Sequence, residues 1–309
     1  GYGCLISGSD LFAIGHRENH RRTESFMNSS TSIVNGELQV TSDRCLRYSI
    51  FEPTDSPESL ATLIFIPGFK GFKDWGGWPW FCGLVSAKRY RVLAINPTMC
   101  GVGSALTEFD EPDKFSQQTL SHDVEDLAAL LNSPIIPHTE PLFLVGHSRG
   151  GIVAALSANH QRQNAQRKID GVVTLGTPHD LMRLDSKELD QWREQGYRDI
   201  VNVRTGEVLK QDVKVLEDYM LHSSQYDPAK ALAETGIPVL GIHGTEDPAV
   251  SADSLDLLMS GVSHPHSRKE LIAGAGHTFG MVHPHQGAHE YAETVVKILA
   301  DWLREAVQR

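Results

Sequence analysis

Six predominantly apolar runs recur along the chain, each too short for a helix: ATLIFI at 61–66, RVLAI at 91–95, PLFLV at 141–145, GVVTL at 171–175, PVLGI at 238–242 and ELIA at 270–273. A predominantly apolar run of this length suits a strand buried on both faces, since successive side chains point to opposite sides of a sheet. Between the runs the period changes from two to about 3.6. Residues 119–131 place Leu120, Val124, Leu127 and Leu131 on one helical face, residues 151–163 are Ala-rich, and residues 291–302 repeat the spacing with Val295, Ile298, Leu299 and Trp302. Strand alternating with helix predicts an α/β fold with a doubly wound, mostly parallel sheet, whose functional loops lie at the C-terminal ends of the strands. Residues 33–40 and 45–51 precede the alternation and read as two strands of an antiparallel entry, joined through Thr41-Ser-Asp43.

Composition narrows the partners. A chain of 309 residues with 40% hydrophobic and 22% charged residues has enough apolar mass for a substantial core, and its length allows one large domain or two small ones. The net charge of −11, with no compensating basic block, argues against a nucleic acid as the partner. No apolar run reaches the length of a membrane span. The four cysteines, Cys4, Cys45, Cys82 and Cys100, have neither metal-ligand spacing nor the density of a disulfide framework. A reduced, cytoplasmic location is the expectation. Residues 1–30 mix Ser, Asn, Arg and Gly without a sustained period and lack the basic n-region and cleavage site of a signal peptide. They are expected to lie outside the fold, with Met27 the native start, which leaves residues 31–309 as the domain.

The chemistry begins where the run at 141–145 meets the helix at 151–163, in Gly146-His147-Ser148-Arg149-Gly150. A serine on a tight strand-to-helix turn needs small residues two positions to either side, because the chain reverses on itself there. Its hydroxyl then stands at a helix N-terminus, where free N–H groups and the helix dipole favour negative charge. Serine alone is a poor nucleophile at neutral pH and needs a base, with an acid behind it. Downstream, Asp247 follows the run at 238–242, and His277 follows the run at 270–273 in the Gly-rich loop Gly274-Ala-Gly-His277. Glu246 and Asp180 are alternative positions for the acid.

In the chain order Ser, Asp, His, in the elbow at Ser148 and in the loop Ile66-Pro-Gly-Phe-Lys-Gly-Phe-Lys-Asp-Trp75, the chain resembles the α/β-hydrolase superfamily over about residues 31–309. Its nearest likeness is to the dienelactone-hydrolase-like and acyl-esterase-like bacterial members. Dienelactone hydrolases carry a cysteine nucleophile where this chain has Ser148, so their lactone substrate does not transfer. The resemblance implies an oxyanion hole from the backbone N–H groups of Arg149 and of Phe69, with Lys70 the alternative to Phe69. It also implies a small cap inserted after the sixth strand of the fold, at about 178–236, where the sequence turns polar and charged. Within it, residues 185–193 read as a helix and 201–208 as a short hairpin.

Phe72, Trp75 and His147 are expected to line the substrate pocket, whereas Trp78, Trp80 and Phe81 are expected to pack the following helix onto the sheet, with a place in the pocket the alternative. His283, His285 and His289, with His264 and His266 nearby, lack the intervening Glu of a zinc-protease helix, so no metal is expected. Gly101-Val-Gly103 lacks the third glycine of a dinucleotide fingerprint, and no cofactor is expected. These readings converge on a cofactor-free serine hydrolase acting on a small-molecule carboxylic ester. A peptidase or thioesterase using the same three residues, or a non-catalytic ligand-binding protein on the same scaffold, are the alternatives.

Overall fold

The computed structural model describes residues 31–53, 58–164 and 167–308; the expectations for residues 1–30, including Met27 and Cys4, fall outside them. The chain enters through β1 (Thr31–Gln39) and β2 (Cys45–Pro53), an antiparallel pair, and continues as β3 (Thr62–Ile66), α1 (Trp78–Ser86), β4 (Arg91–Asn96), α2 (Pro112–Ser116), α3 (Leu120–Leu131), β5 (Leu142–His147), α4 (Arg149–Asn164) and β6 (Gly171–Leu175). An excursion follows, made of α5 (Ser186–Gln195), the ribbon β7 (Tyr197–Val201) and β8 (Val208–Asp212), α6 (Val213–Leu221) and α7 (Pro228–Thr235). The alternation then resumes with β9 (Val239–Gly244), α8 (Asp253–Leu258), β10 (Arg268–Ile272) and α9 (Glu290–Val307).

Eight strands form one sheet in the order β1-β2-β4-β3-β5-β6-β9-β10, parallel from β4 to β10. Alternate residues of the inner strands feed two cores. Leu63, Phe65, Val145, Val173 and Ile242 meet α1 and α9 on one face, while Ile64, Ile66, Leu144, Val172 and Val239 meet α3, α4, α7 and α8 on the other. That two-sided burial is the physical reason the inner runs lack polar alternation; the run at 270–273 departs from the expectation, because β10 is the edge strand and Leu271 is 57% exposed. The path steps outward from β3 to β4 and then crosses back to lay β5 on the other side of β3, so the order reverses between β3 and β5. At such a reversal the loops leaving the two strands diverge and open a crevice at their C-terminal ends.

The expected hairpin at 201–208 is the inner end of a longer ribbon. Residues 202–207 are the connection, and the paired strands lie on either side of them, with Val201 opposite Val208 and Tyr197 opposite Asp212. Val203 is 88% exposed at the tip, and Gly206 takes the positive φ of 73° that closes the turn. The helix expected at 185–193 is α5, with Asp185 as its N-cap: the Asp185 carboxylate accepts from Glu188 N–H and the Glu188 carboxylate accepts from Asp185 N–H.

Candidate active site

Ser148 stands one residue past β5 with φ +52°, a left-handed conformation that costs a non-glycine residue roughly 1–3 kcal/mol. Close packing enforces it. A Cβ on Gly146 would run into the Gly150 carbonyl, and a Cβ on Gly150 would sit 2.6 Å from the Pro67 carbonyl oxygen. The Ser148 N–H donates to Leu175 O (2.8 Å) and the Ser148 carbonyl accepts from Gly151 N–H (2.9 Å), tying the turn to β6 and to the first turn of α4. Arg149 is buried beside it, and its guanidinium pairs with the fully buried Asp123 of α3, which anchors the first residue of α4. Asp126, one turn along α3, binds Arg44 (3.0 Å) and accepts from Thr98 N–H (2.7 Å); burial, with the Asp123 charge beside it, pushes its carboxyl up to about 7.

The loop leaving β3 passes directly against this turn: a Cβ on Gly68 would be 3.0 Å from Ser148 Cβ and 3.1 Å from the His147 carbonyl oxygen. Phe69 therefore follows at the edge of the crevice, its ring 5.3 Å from that of Phe115. Lys70 takes a positive φ of 57° and reaches away, its Nζ 3.4 Å from the Val201 carbonyl of β7.

Of the three candidate acids, Asp247 is the one bonded to His277, whose Nδ1 lies 2.7 Å from Asp247 Oδ2. With the proton on Nδ1 to make that bond, Nε2 keeps its lone pair. The carboxylate side chain is fully buried, and Oδ1 accepts from the N–H groups of Ala249 (2.8 Å) and Val250 (2.9 Å). Burial raises its pKa, but the hydrogen bonds from His243, His277 and Val250 outweigh burial and hold the carboxyl well below the usual range. Glu246 is exposed, and Asp180 turns to Met182 N–H (2.9 Å) and the Tyr219 hydroxyl (3.0 Å). His243, at the buried end of β9, was not singled out from the sequence; its Nε2 lies 3.0 Å from the Val250 carbonyl and 3.3 Å from Asp247 Oδ2. Its position four residues before Asp247, on the last turn of an apolar strand, was the signal present.

A cavity of about 360 Å³ opens at Ser148. Phe69, Arg149 and Leu120 contribute from the main fold, and the rest of its wall comes from residues 178–219 of the excursion, including Leu181, Trp192 and Tyr219. The three residues expected to line the pocket lie elsewhere. Phe72 is buried in a satellite cluster with Cys100, Phe109 and Leu209. Trp75 stacks on His283 (5.9 Å between ring centres). His147 points beneath the elbow, its ring 4.8 Å from Trp78 and from His277 and its Nε2 2.8 Å from the His277 carbonyl oxygen; burial, with His277 beside it, lowers its pKa to about 3. Consecutive residues of a strand end face opposite ways, so adjacency to Ser148 in sequence sends His147 away from the cavity.

The C-terminal histidines have individual packing roles. His283 Nδ1 accepts from Gly76 N–H (2.7 Å), His285 stacks on Trp80 (5.5 Å), and His289 caps α9 by accepting from Tyr291 N–H (3.3 Å). Trp78 and Phe81 are buried and seat α1 on β3, where Trp78 lies 4.7 Å from Phe65. Among the described residues, no helix is long and apolar enough to cross a membrane.

The same architecture recurs in solved structures at low identity. The esterase Est1E from Butyrivibrio proteoclasticus, in a structure with ferulic acid bound, superposes with a TM-score of 0.65 at 17% identity, over 87% of this chain and 98% of that one. An esterase domain from a Rhodothermus marinus protein gives 0.61 at 18% identity over 89% and 99%. A monoacylglycerol lipase from Paleococcus ferrophilus gives 0.61 at 15% over 84% and 99%. No curated protein matches the chain in sequence. The sequence profile of the alpha/beta hydrolase family matches residues 63–293, a span that holds the loop after β3, the elbow at Ser148 and both the Asp247 and His277 loops, and the chain belongs to that family.

Proposed function

We propose that the protein is a serine hydrolase that cleaves a carboxylic ester through an acyl-enzyme on Ser148. The observation that carries this reading is the His277–Asp247 hydrogen bond of 2.7 Å to a fully buried carboxylate, in a family member whose Ser148 occupies a positive-φ elbow at the mouth of a cavity. His277 Nε2 takes the Ser148 proton as Oγ bonds to the ester carbonyl carbon, and the electron pair of the C=O moves onto oxygen. The N–H groups of Phe69 and Arg149 receive that oxyanion. Collapse of the intermediate re-forms the carbonyl and breaks the C–O bond to the alcohol, which leaves with the proton from His277. Water then attacks the acyl-enzyme by the same route and releases the acid. Asp247 holds the tautomer and stabilises the imidazolium throughout. The excursion at 178–236 acts as the cap that shapes the acyl or alcohol site, and Est1E's ferulic acid is consistent with a small-molecule ester as substrate.

The test is hydrolysis of p-nitrophenyl esters of increasing acyl length by the wild type and Ser148→Ala, with chelator present, alongside mass spectrometry after a fluorophosphonate. Turnover falls at least about 10³-fold in the variant, and the wild type gains one adduct on Ser148. Turnover retained in Ser148→Ala overturns the reading.

A further inference from the structure

Four charged side chains reach the cavity at Ser148: Arg149, Arg183, Arg198 and Asp218. Two are internally balanced. Arg149 pairs with Asp123, and the Asp218 carboxylate accepts from the Ser121 hydroxyl (2.6 Å) and the Tyr226 hydroxyl (3.4 Å), with His222 Nδ1 3.4 Å away. The other two are cations without a carboxylate partner among the described residues. Arg183 is exposed and gives Nη1 to the Ala249 carbonyl (2.7 Å). Arg198, on β7, is half-buried and far more constrained.

Arg198 is held as a binding group is held. Its guanidinium carbon lies 4.3 Å from the centre of the Trp192 ring, and its Nε donates to Gln211 Oε1 (2.7 Å). Both supports are rigid: Trp192 is 2% exposed and gives its indole N–H to the Gln211 carbonyl (3.1 Å), and Gln211 is 6% exposed. These contacts fix the plane of the guanidinium and occupy one edge, leaving the two terminal nitrogens as a fork with the spacing of a carboxylate's oxygens. Burial lowers the Arg198 pKa, with Glu188 countering; the Glu188 carboxylate is turned to Asp185 N–H (2.9 Å) at the start of α5. A partly desolvated cation with neutral supports and no carboxylate in ion-pair contact among the described residues is a cost that a bound anion lowers.

We propose that the ester taken at Ser148 carries a carboxylate, and that the Arg198 fork, with Arg183 at the rim, receives it. This rests on the serine-hydrolase reading for the chemistry, and on the cavity alone for the binding. The carboxylate belongs either to the acyl group, as in a half-ester of a dicarboxylic acid, or to the alcohol. A neutral ester of equal size fills the same apolar wall but leaves Arg198 uncompensated.

Two substrate pairs separate these cases: p-nitrophenyl hydrogen glutarate against p-nitrophenyl pentanoate for the acyl side, and 4-carboxyphenyl butyrate against its methyl ester for the alcohol side. In the wild type, kcat/KM favours the anionic member of at least one pair, and Arg198→Met, which keeps length and removes charge, lowers that ratio roughly 10- to 100-fold. Arg198→Lys restores part of it. A ratio that is near one in the wild type, or that Arg198→Met leaves unchanged, overturns the proposal while leaving the serine mechanism intact. Calorimetric titration of Ser148→Ala with monomethyl glutarate and dimethyl glutarate decides the binding without turnover. The monoanion binds more tightly, and the preference disappears in Ser148→Ala/Arg198→Met; equal binding of the two overturns the proposal even if no ester is hydrolysed by the wild type.

Discussion

Asp247 Oδ2 has two histidines, His277 at 2.7 Å and His243 at 3.3 Å, so the acid is gripped from behind as well as from the front. Replacing His243 with leucine removes a donor from both Asp247 and the Val250 carbonyl. That costs about 1–3 kcal/mol of stability by chemical unfolding, and kcat drops roughly tenfold with little change in KM. Asp247→Asn folds and loses about 10⁴-fold in kcat, because His277 then adopts the wrong tautomer. Since the Asp247 carboxyl titrates well below the usual range, it adds no inflection to kcat/KM between about pH 4 and about pH 9; an acid limb of slope two there contradicts the arrangement. His147 tests the same region through stability. Its pKa falls from 6.5 unfolded to about 3 folded, so the neutral ring is what the fold favours. The contribution is full above 6.5 and shrinks as pH falls toward 3, in the same direction as that of Asp247. The drop in Tm between about pH 7.5 and about pH 4.5 is accordingly smaller in His147→Asn than in the wild type.

At the level of elements, the elbow and the ribbon place opposite demands on sequence reading. The elbow was legible because its requirement is steric and local: Gly146 and Gly150 touch backbone that has nowhere to move. Gly146→Ala destabilises the protein by about 2–3 kcal/mol in denaturant titration, since no flexible side chain lies in the way to give ground. The buried strands were legible for the same kind of reason, each face of a run such as Leu63 to Ile66 being apolar. The ribbon was legible only at its inner end. Along β7 and β8 every second residue is exposed and few are apolar, so the length of the pairing left little pattern in the sequence. What holds the ribbon is tertiary: Trp192 under Arg198, and Leu209 in the aromatic cluster with Phe72 and Phe115. Trp192→Ala therefore costs about 3 kcal/mol locally, seen as faster amide hydrogen exchange across α5 to α6 while β3, β5 and β6 keep their protection. Uniform loss of protection across the sheet contradicts that division.

For the molecule as a whole, strand order explains which parts of the site a sequence reveals. Ser148, Asp247 and His277 each follow an apolar run and so can be recognised one at a time, by position at a strand's end. The cavity wall has no such mark. It forms only when residues 178–219 fold back over the reversal between β3 and β5, and nothing in their spacing announces Trp192, Arg198 and Gln211 as neighbours. Phe72, Trp75 and His147 were assigned to the pocket by proximity along the chain, yet the apolar interior claimed Phe72, and His283 and His277 took the other two.

The excursion leaves the sheet after β6 and returns at β9, so most of the cavity wall comes from one uninterrupted stretch of the chain, and the proposed bond-breaking groups lie outside it, Ser148 before and Asp247 and His277 after. Inheritance and engineering can act on the two separately. A transplant that replaces residues 178–236 with the corresponding segment of another family member, and leaves the rest untouched, is expected to keep fluorophosphonate labelling at Ser148 while its ranking of esters follows the donor.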